Sequence, residues 1–114
     1  MREKRIVDIT KDCAKILLEK KAQDVLILDL IDINSYLDYF VISTGNSFLH
    51  CRSLAKELLK FLKMKGIKER NKSKLNSGWI VLDFNEIVIH IFTQEMREYY
   101  QLEKLWADAN YIEI

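Results

Sequence analysis

Residues 79–92 read Trp-Ile-Val-Leu-Asp-Phe-Asn-Glu-Ile-Val-Ile-His-Ile-Phe. Two runs rich in β-branched and aromatic residues, Trp79 to Phe84 and Ile87 to Phe92, flank Asn85-Glu86, a pair suited to a two-residue hairpin loop. Closing the hairpin there pairs Phe84 with Ile87, Leu82 with Ile89 and Ile80 with Ile91, an apolar face throughout. The other face pairs Asp83 with Val88, Val81 with His90 and Trp79 with Phe92. A slip of one residue would mix the two faces, so the pattern selects its own register. The second face combines apolar bulk with a carboxylate and an imidazole: either another element covers it or it binds something.

The flanking segments place this hairpin in a mixed fold. Residues 3–21 carry Ile6, Ile9, Cys13, Ile16 and Leu17 at steps of three and four, the spacing of an amphipathic helix. Val25 to Ile31 is a nearly continuous apolar run, expected as a strand covered on both faces. Residues 37–44 read as a second strand ending at Gly45, with Asn46 or Ser47 placed to cap the next helix. That helix, 47–65, aligns Cys51, Leu54, Ala55, Leu58 and Leu62, with Gly66 in the C′ position. Residues 67–77 suggest a short edge strand followed by a polar loop. Thr93 can cap a last helix with Met96 to Trp106 as its body, on which 96, 99, 103 and 106 share a face. The order α-β-β-α-β-β-β-α predicts a single α/β domain over residues 1–114, with a mixed sheet of about five strands and helices packed on it. No proline and only three glycines occur, so no linker or domain boundary is marked.

Composition narrows the class. In 114 residues, 49% are hydrophobic and 31% charged, a globular balance, and no run approaches the length of a membrane span. The opening Met1-Arg2-Glu3-Lys4-Arg5 leads into the amphipathic pattern and does not read as a signal or transit peptide, so a cytoplasmic protein is expected. The formal net charge of +1 conceals a polarity. Lys56 to Lys74 holds eight basic and two acidic residues, whereas Asp83 to Ile114 holds two basic and seven acidic. Two surfaces with different partners would explain this; an ordinary solvated helix face followed by a loop would explain the basic half equally well.

Residue chemistry points away from catalysis. Cys13 and Cys51 lack zinc-ligand spacing and fall on apolar helix faces, where they read as small core residues. No Walker loop, GxGxxG, HExxH or GxSxG elbow accompanies His50 or His90. Thr44-Gly45-Asn46-Ser47, between a strand and a helix, offers backbone N–H groups to a phosphate, and its Gly-x-Ser is similar to the opening motif of nucleotidyltransferases. Those enzymes need two carboxylates on a neighbouring strand to hold divalent metal; here residues 79–84 supply only Asp83. A nucleotidyltransferase-like enzyme or nucleotide-binding protein stays as the alternative; no catalytic residue, metal or cofactor is expected. His90, between Ile89 and Ile91, reads as a half-buried structural histidine.

Asp38-Tyr39-Phe40-Val41-Ile42-Ser43-Thr44-Gly45-Asn46-Ser47, the two hairpin strands, and Arg97-Glu98-Tyr99-Tyr100-Gln101-Leu102-Glu103-Lys104-Leu105-Trp106-Ala107-Asp108-Ala109 together resemble the Iojap family, the ribosomal silencing factors. The resemblance spans about Asp24 to Ala109. It implies a nucleotidyltransferase-like topology without the catalytic carboxylates, in a bacterial cytoplasmic protein. It further implies binding to the large ribosomal subunit, at the ribosomal protein numbered fourteen on the subunit-joining face, and steric exclusion of the small subunit when nutrients are scarce. The implied contact surface comprises Trp79 as aromatic anchor with Val81, Asp83, Glu86, His90, Arg97, Tyr99, Tyr100, Glu103 and Trp106. Lys63, Lys65, Lys68, Arg70, Lys72 and Lys74 would then face nearby rRNA phosphates. A homodimer through a sheet edge or the Tyr/Trp helix is a further reading. Where the family usually has Gly-Asp at the hairpin turn, this chain has Asn85-Glu86.

Overall fold

In the computed structural model, residues 2–33, 37–105 and 109–114 are described. Helix α1 (Arg2–Glu19) leads into strand β1 (Gln23–Asp29), then β2 (Tyr39–Gly45), α2 (Phe48–Met64), β3 (Trp79–Asp83), β4 (Ile87–Thr93), two short helices α3 (Gln94–Tyr100) and α4 (Leu102–Leu105), and β5 (Asn110–Tyr111). The five strands form one mixed sheet in the order β3-β4-β2-β1-β5. Only β2 and β4 run parallel; the other pairs are antiparallel. These two central strands are buried almost along their whole length, which explains their near-continuous apolar sequences.

The hairpin register is the one its faces demanded. Trp79 lies opposite Phe92, Ile80 opposite Ile91, Val81 opposite His90, Leu82 opposite Ile89 and Asp83 opposite Val88. The Phe84 N–H donates to the Ile87 carbonyl at 2.9 Å and closes the loop. Asn85 takes the left-handed conformation (φ 71°) that glycine would otherwise supply, and its N–H donates to Asp83 Oδ1 at 3.1 Å.

Helices α1 and α2 cover one face of the sheet. Ile6, Ile9, Cys13 and Leu17 from the first, and Cys51, Leu54, Ala55, Leu58 and Leu62 from the second, join Ile80, Leu82, Phe84, Ile87, Ile89 and Ile91 in the larger core. Ser47 caps α2 by accepting the His50 N–H, and Gly66 (φ 76°) ends it. The Ile67 N–H returns to the Leu62 carbonyl and that of Gly66 to Lys63, the paired bonds of a Schellman motif. On the opposite face a thinner cluster gathers Leu28, Leu30, Phe40, Ile42, Val88, Phe92, Leu102 and Ala109, with Trp79 and Met96 packed against it.

Four expectations are corrected. Residues 67–77 form no strand: a lone bond from the Arg70 N–H to the Asp83 carbonyl (2.7 Å) lays this segment along the β3 edge, and the fifth strand is β5 at the other side of the sheet. The last helix is two helices, because Gln101 turns left-handed (φ 47°, ψ 48°) and stops α3. That break ends the helical periodicity on which a face shared by 96, 99, 103 and 106 depended. Finally, β1 is not covered along its length: its first residues are exposed, Val25 and Leu26 half-buried, and Ile31 lies exposed in the following turn.

Candidate functional site

Alternation along β3 sends Ile80 and Leu82 into the larger core and leaves Trp79, Val81 and Asp83 on the other face. Helix α3, capped when Thr93 Oγ1 accepts the Met96 N–H, rises beside that face. Gly78 permits the approach: a Cβ there would stand 2.9 Å from Met96 Cγ. The result is an aromatic series from the interior outward. Buried Phe92 stacks on Trp79 (centroids 5.1 Å, 27°), Trp79 meets Tyr100 at 4.6 Å, and Tyr100 meets Tyr99 edge-on at 4.9 Å. Tyr100 is 44% exposed, Tyr99 77% and Val81 39%, so the outer end is an open apolar surface.

His90 lies beneath this surface, 5% exposed. The Trp79 indole N–H donates to its Nδ1 at 3.0 Å, and Phe40 meets the imidazole edge-to-face at 4.6 Å. An indole can only donate, so Nδ1 is unprotonated and the ring proton sits on Nε2, a buried donor with no acceptor. Burial pulls the His90 pKa down to about 4, which holds the ring neutral near pH 7. His90 therefore supports Trp79 from below and does not lie on the surface.

Other expected contact residues divide. Asp83 and Glu86 are half-buried at the hairpin turn, and the Glu86 carbonyl accepts the N–H groups of Asp38 and Tyr39. Arg97 is 7% exposed, and its Nη1 donates to Thr44 Oγ1 at 2.9 Å, so it ties α3 to the end of β2 from inside. The Glu103 side chain and Trp106 lie outside the described residues.

The lysines of the basic segment line two different depressions. Lys72 and Lys74, with Asn71, Ser73 and Ser77, share a depression with Trp79, Val81 and Asp83. Lys63 and Lys68 instead line a groove with Leu59, Ile67 and Phe84, side chains that pack on the helical face of the sheet. Lys65 is exposed at the end of α2 and its carbonyl accepts Arg5 Nη2 at 2.7 Å. Two lysines expected against a separate partner thus share a depression with Trp79. Sequence spacing carried no sign of this, since the segment's path depends on how it lies along the β3 edge.

The Thr44 to Ser47 turn is engaged by the His50 side chain of α2. The Asn46 N–H donates to His50 Nδ1 at 2.8 Å, and the opposite ring nitrogen of His50 meets the Lys20 carbonyl at 2.8 Å. With Nδ1 accepting, Nε2 carries the proton toward Lys20. A Cβ at Gly45 would lie 2.6 Å from Cys51 Sγ and 3.1 Å from the Cys51 backbone nitrogen, so this glycine serves close packing of β2 and α2. Both thiols are buried; desolvation raises the Cys51 pKa and lifts that of Cys13 to about 12. Among the described residues no three His, Cys, Asp or Glu side chains converge as a metal site, and no helix is long and apolar enough to cross a membrane.

Fold and site define a small mixed-sheet α/β domain with an aromatic surface patch seated on a buried histidine. The chain belongs to the family described as ribosomal silencing factor during starvation, whose model matches residues 3–114. It is 35% identical over 102 residues to the ribosomal silencing factor of Bacillus subtilis, covering 89% of this chain and 86% of that one. Among solved structures it is similar to a Chromobacterium violaceum protein (TM-score 0.83, 27% identity, 90% of this chain and 86% of that one). It is also similar to one from Bacillus halodurans (TM-score 0.78, 28% identity, 97% and 99%).

Proposed function

We propose that this protein binds the large ribosomal subunit in the cytoplasm, at the ribosomal protein numbered fourteen on the subunit-joining face, and blocks joining of the small subunit by occupying its space. Translation is thereby repressed when nutrients are limiting. The mechanism is steric and asks for no bond-making residue. Family membership supports it, and the observation that carries it is the Trp79–Tyr100 aromatic pair, open to solvent beside Val81 and backed by Phe92 and His90. A rigid, supported tryptophan at the rim of an apolar patch is the kind of residue that dominates interface energy. Lys72, Lys74 and Asp83, in the same depression as Trp79, give the contact charges of both signs, which orient a partner more than they add affinity.

The test is sucrose-gradient sedimentation of ribosomal subunits, with magnesium sufficient for joining, with and without the protein. The protein should travel with the large subunit and diminish the joined peak, and Trp79→Ala should do neither while keeping its circular dichroism. A protein that stays at the top of the gradient, with the joined peak unchanged, refutes the proposal.

A further inference from the structure

On the sheet face opposite Trp79, the end of α2 and the segment after it enclose a groove of about 560 Å³, lined by Leu59, Lys60, Lys63, Ile67, Lys68 and Glu69 over Phe84. Its shape follows from the Schellman motif at Gly66, which folds Ile67 back toward the helix. The floor is aliphatic, since Leu59 and Ile67 are half-buried against the larger core and Phe84 is buried within it. The rim carries three ammonium groups and one carboxylate. That carboxylate is already engaged: Glu69 Oε2 accepts the Ser73 N–H at 2.9 Å and the Ser73 hydroxyl at 2.8 Å.

We propose that this groove is a second docking site, for an acidic peptide segment that presents an aliphatic side chain between carboxylates. The excess of cations selects an anionic partner, and the aliphatic floor selects an apolar anchor within it. A peptide fits better than RNA on two counts. The only aromatic side chain in the lining, Phe84, is buried and offers no face for a base to stack on, the contact single-stranded nucleic acid sites commonly use. The rim also lacks arginine, whose planar fork suits phosphate. Trp79 packs against the other core cluster, so the aromatic patch and the groove floor lie on opposite faces of the sheet.

Fluorescence anisotropy with the full chain tests this, using a short fluorescein-labelled peptide alternating glutamate and leucine, a glutamate–serine control and a labelled oligouridylate of equal charge. Saturable binding of the glutamate–leucine peptide is expected, weakening as salt rises. The Lys63→Glu/Lys68→Glu double variant, altered only at exposed positions, should lose about tenfold in affinity. Trp79→Ala should leave this binding unchanged, so failure here is separable from failure of ribosome binding. The proposal is overturned by absent saturation, by equal binding of the serine control, or by tighter binding of the oligouridylate. Self-association of the protein abolished by the same charge reversals would assign the groove to a second copy and also overturn it.

Discussion

The indole nitrogen of Trp79 and the Nδ1 of His90 lie 3.0 Å apart on diagonally related positions of the β3–β4 pair, joining a half-buried aromatic to a buried one. Because His90 also buries an Nε2–H with no acceptor, the bond that orients the tryptophan is made by a residue that is itself incompletely satisfied. Replacing it by phenylalanine has two opposed effects. His90→Phe removes the acceptor of the part-buried indole N–H, a loss of about 0.5–1.5 kcal/mol, and also removes a buried orphan donor costing about 1–3 kcal/mol. Unfolding stability in urea at pH 7 should therefore not fall and should rise by up to about 2 kcal/mol, whereas co-sedimentation with the large subunit should weaken. Unaltered co-sedimentation would show that the indole needs no such support.

The same histidine sets an acid limit on stability. Its folded pKa of about 4 lies below the ordinary value of 6.5, so the neutral ring favours the fold. That contribution is complete above about pH 6.5 and is lost as pH falls toward 4. Between pH 7 and 5 the wild-type protein should lose about 2 kcal/mol that His90→Phe does not lose. Parallel urea titrations at the two pH values measure the difference; equal losses would place the acid sensitivity elsewhere.

Gly45→Ala should destabilise the protein by about 1–3 kcal/mol, since the new methyl meets both the Cys51 sulfur and its backbone. Pairing it with Cys51→Ala should recover part of the loss, because only the sulfur contact is relieved. Thermal melts of the single and double variants decide this. A neutral Gly45→Ala would show that the β2–α2 contact can relax.

Gln101→Gly should raise stability by about 0.5–1 kcal/mol. The residue holds a left-handed conformation with a side chain that disfavours it, and the strain relieved exceeds the added freedom of the unfolded chain. A rise of a few degrees in Tm is the expected readout, and a fall would mean the glutamine side chain contributes more than its backbone costs.

Local chemistry in the chain was enough for the hairpin register, the Thr93 cap, an α2 cap at Asn46 or Ser47, the Gly66 terminus and the core stripes of α1 and α2. Each depends on alternation, helical spacing or a residue's own backbone preference, which neighbours in sequence express. Alternation also placed Trp79 on the mixed face of the hairpin, without deciding whether that face would be covered. What the sequence left open was decided by long-range packing. Whether His90 would face a partner or the interior depended on Phe40 and Trp79 packing against it; Arg97 turns inward and donates to Thr44, a residue far away in the chain. The break at Gln101 and the two-residue β5 carry no periodic signal, since a single left-handed residue and a short edge pairing are stabilised only by their surroundings. The meeting of Lys72 and Lys74 with Trp79, and of Lys68 with Lys63 of α2 at the opposite groove, follows from the route of an irregular segment around the β3 edge. Charge counted along a chain records no such route, and only the folded structure assigns each lysine to its face.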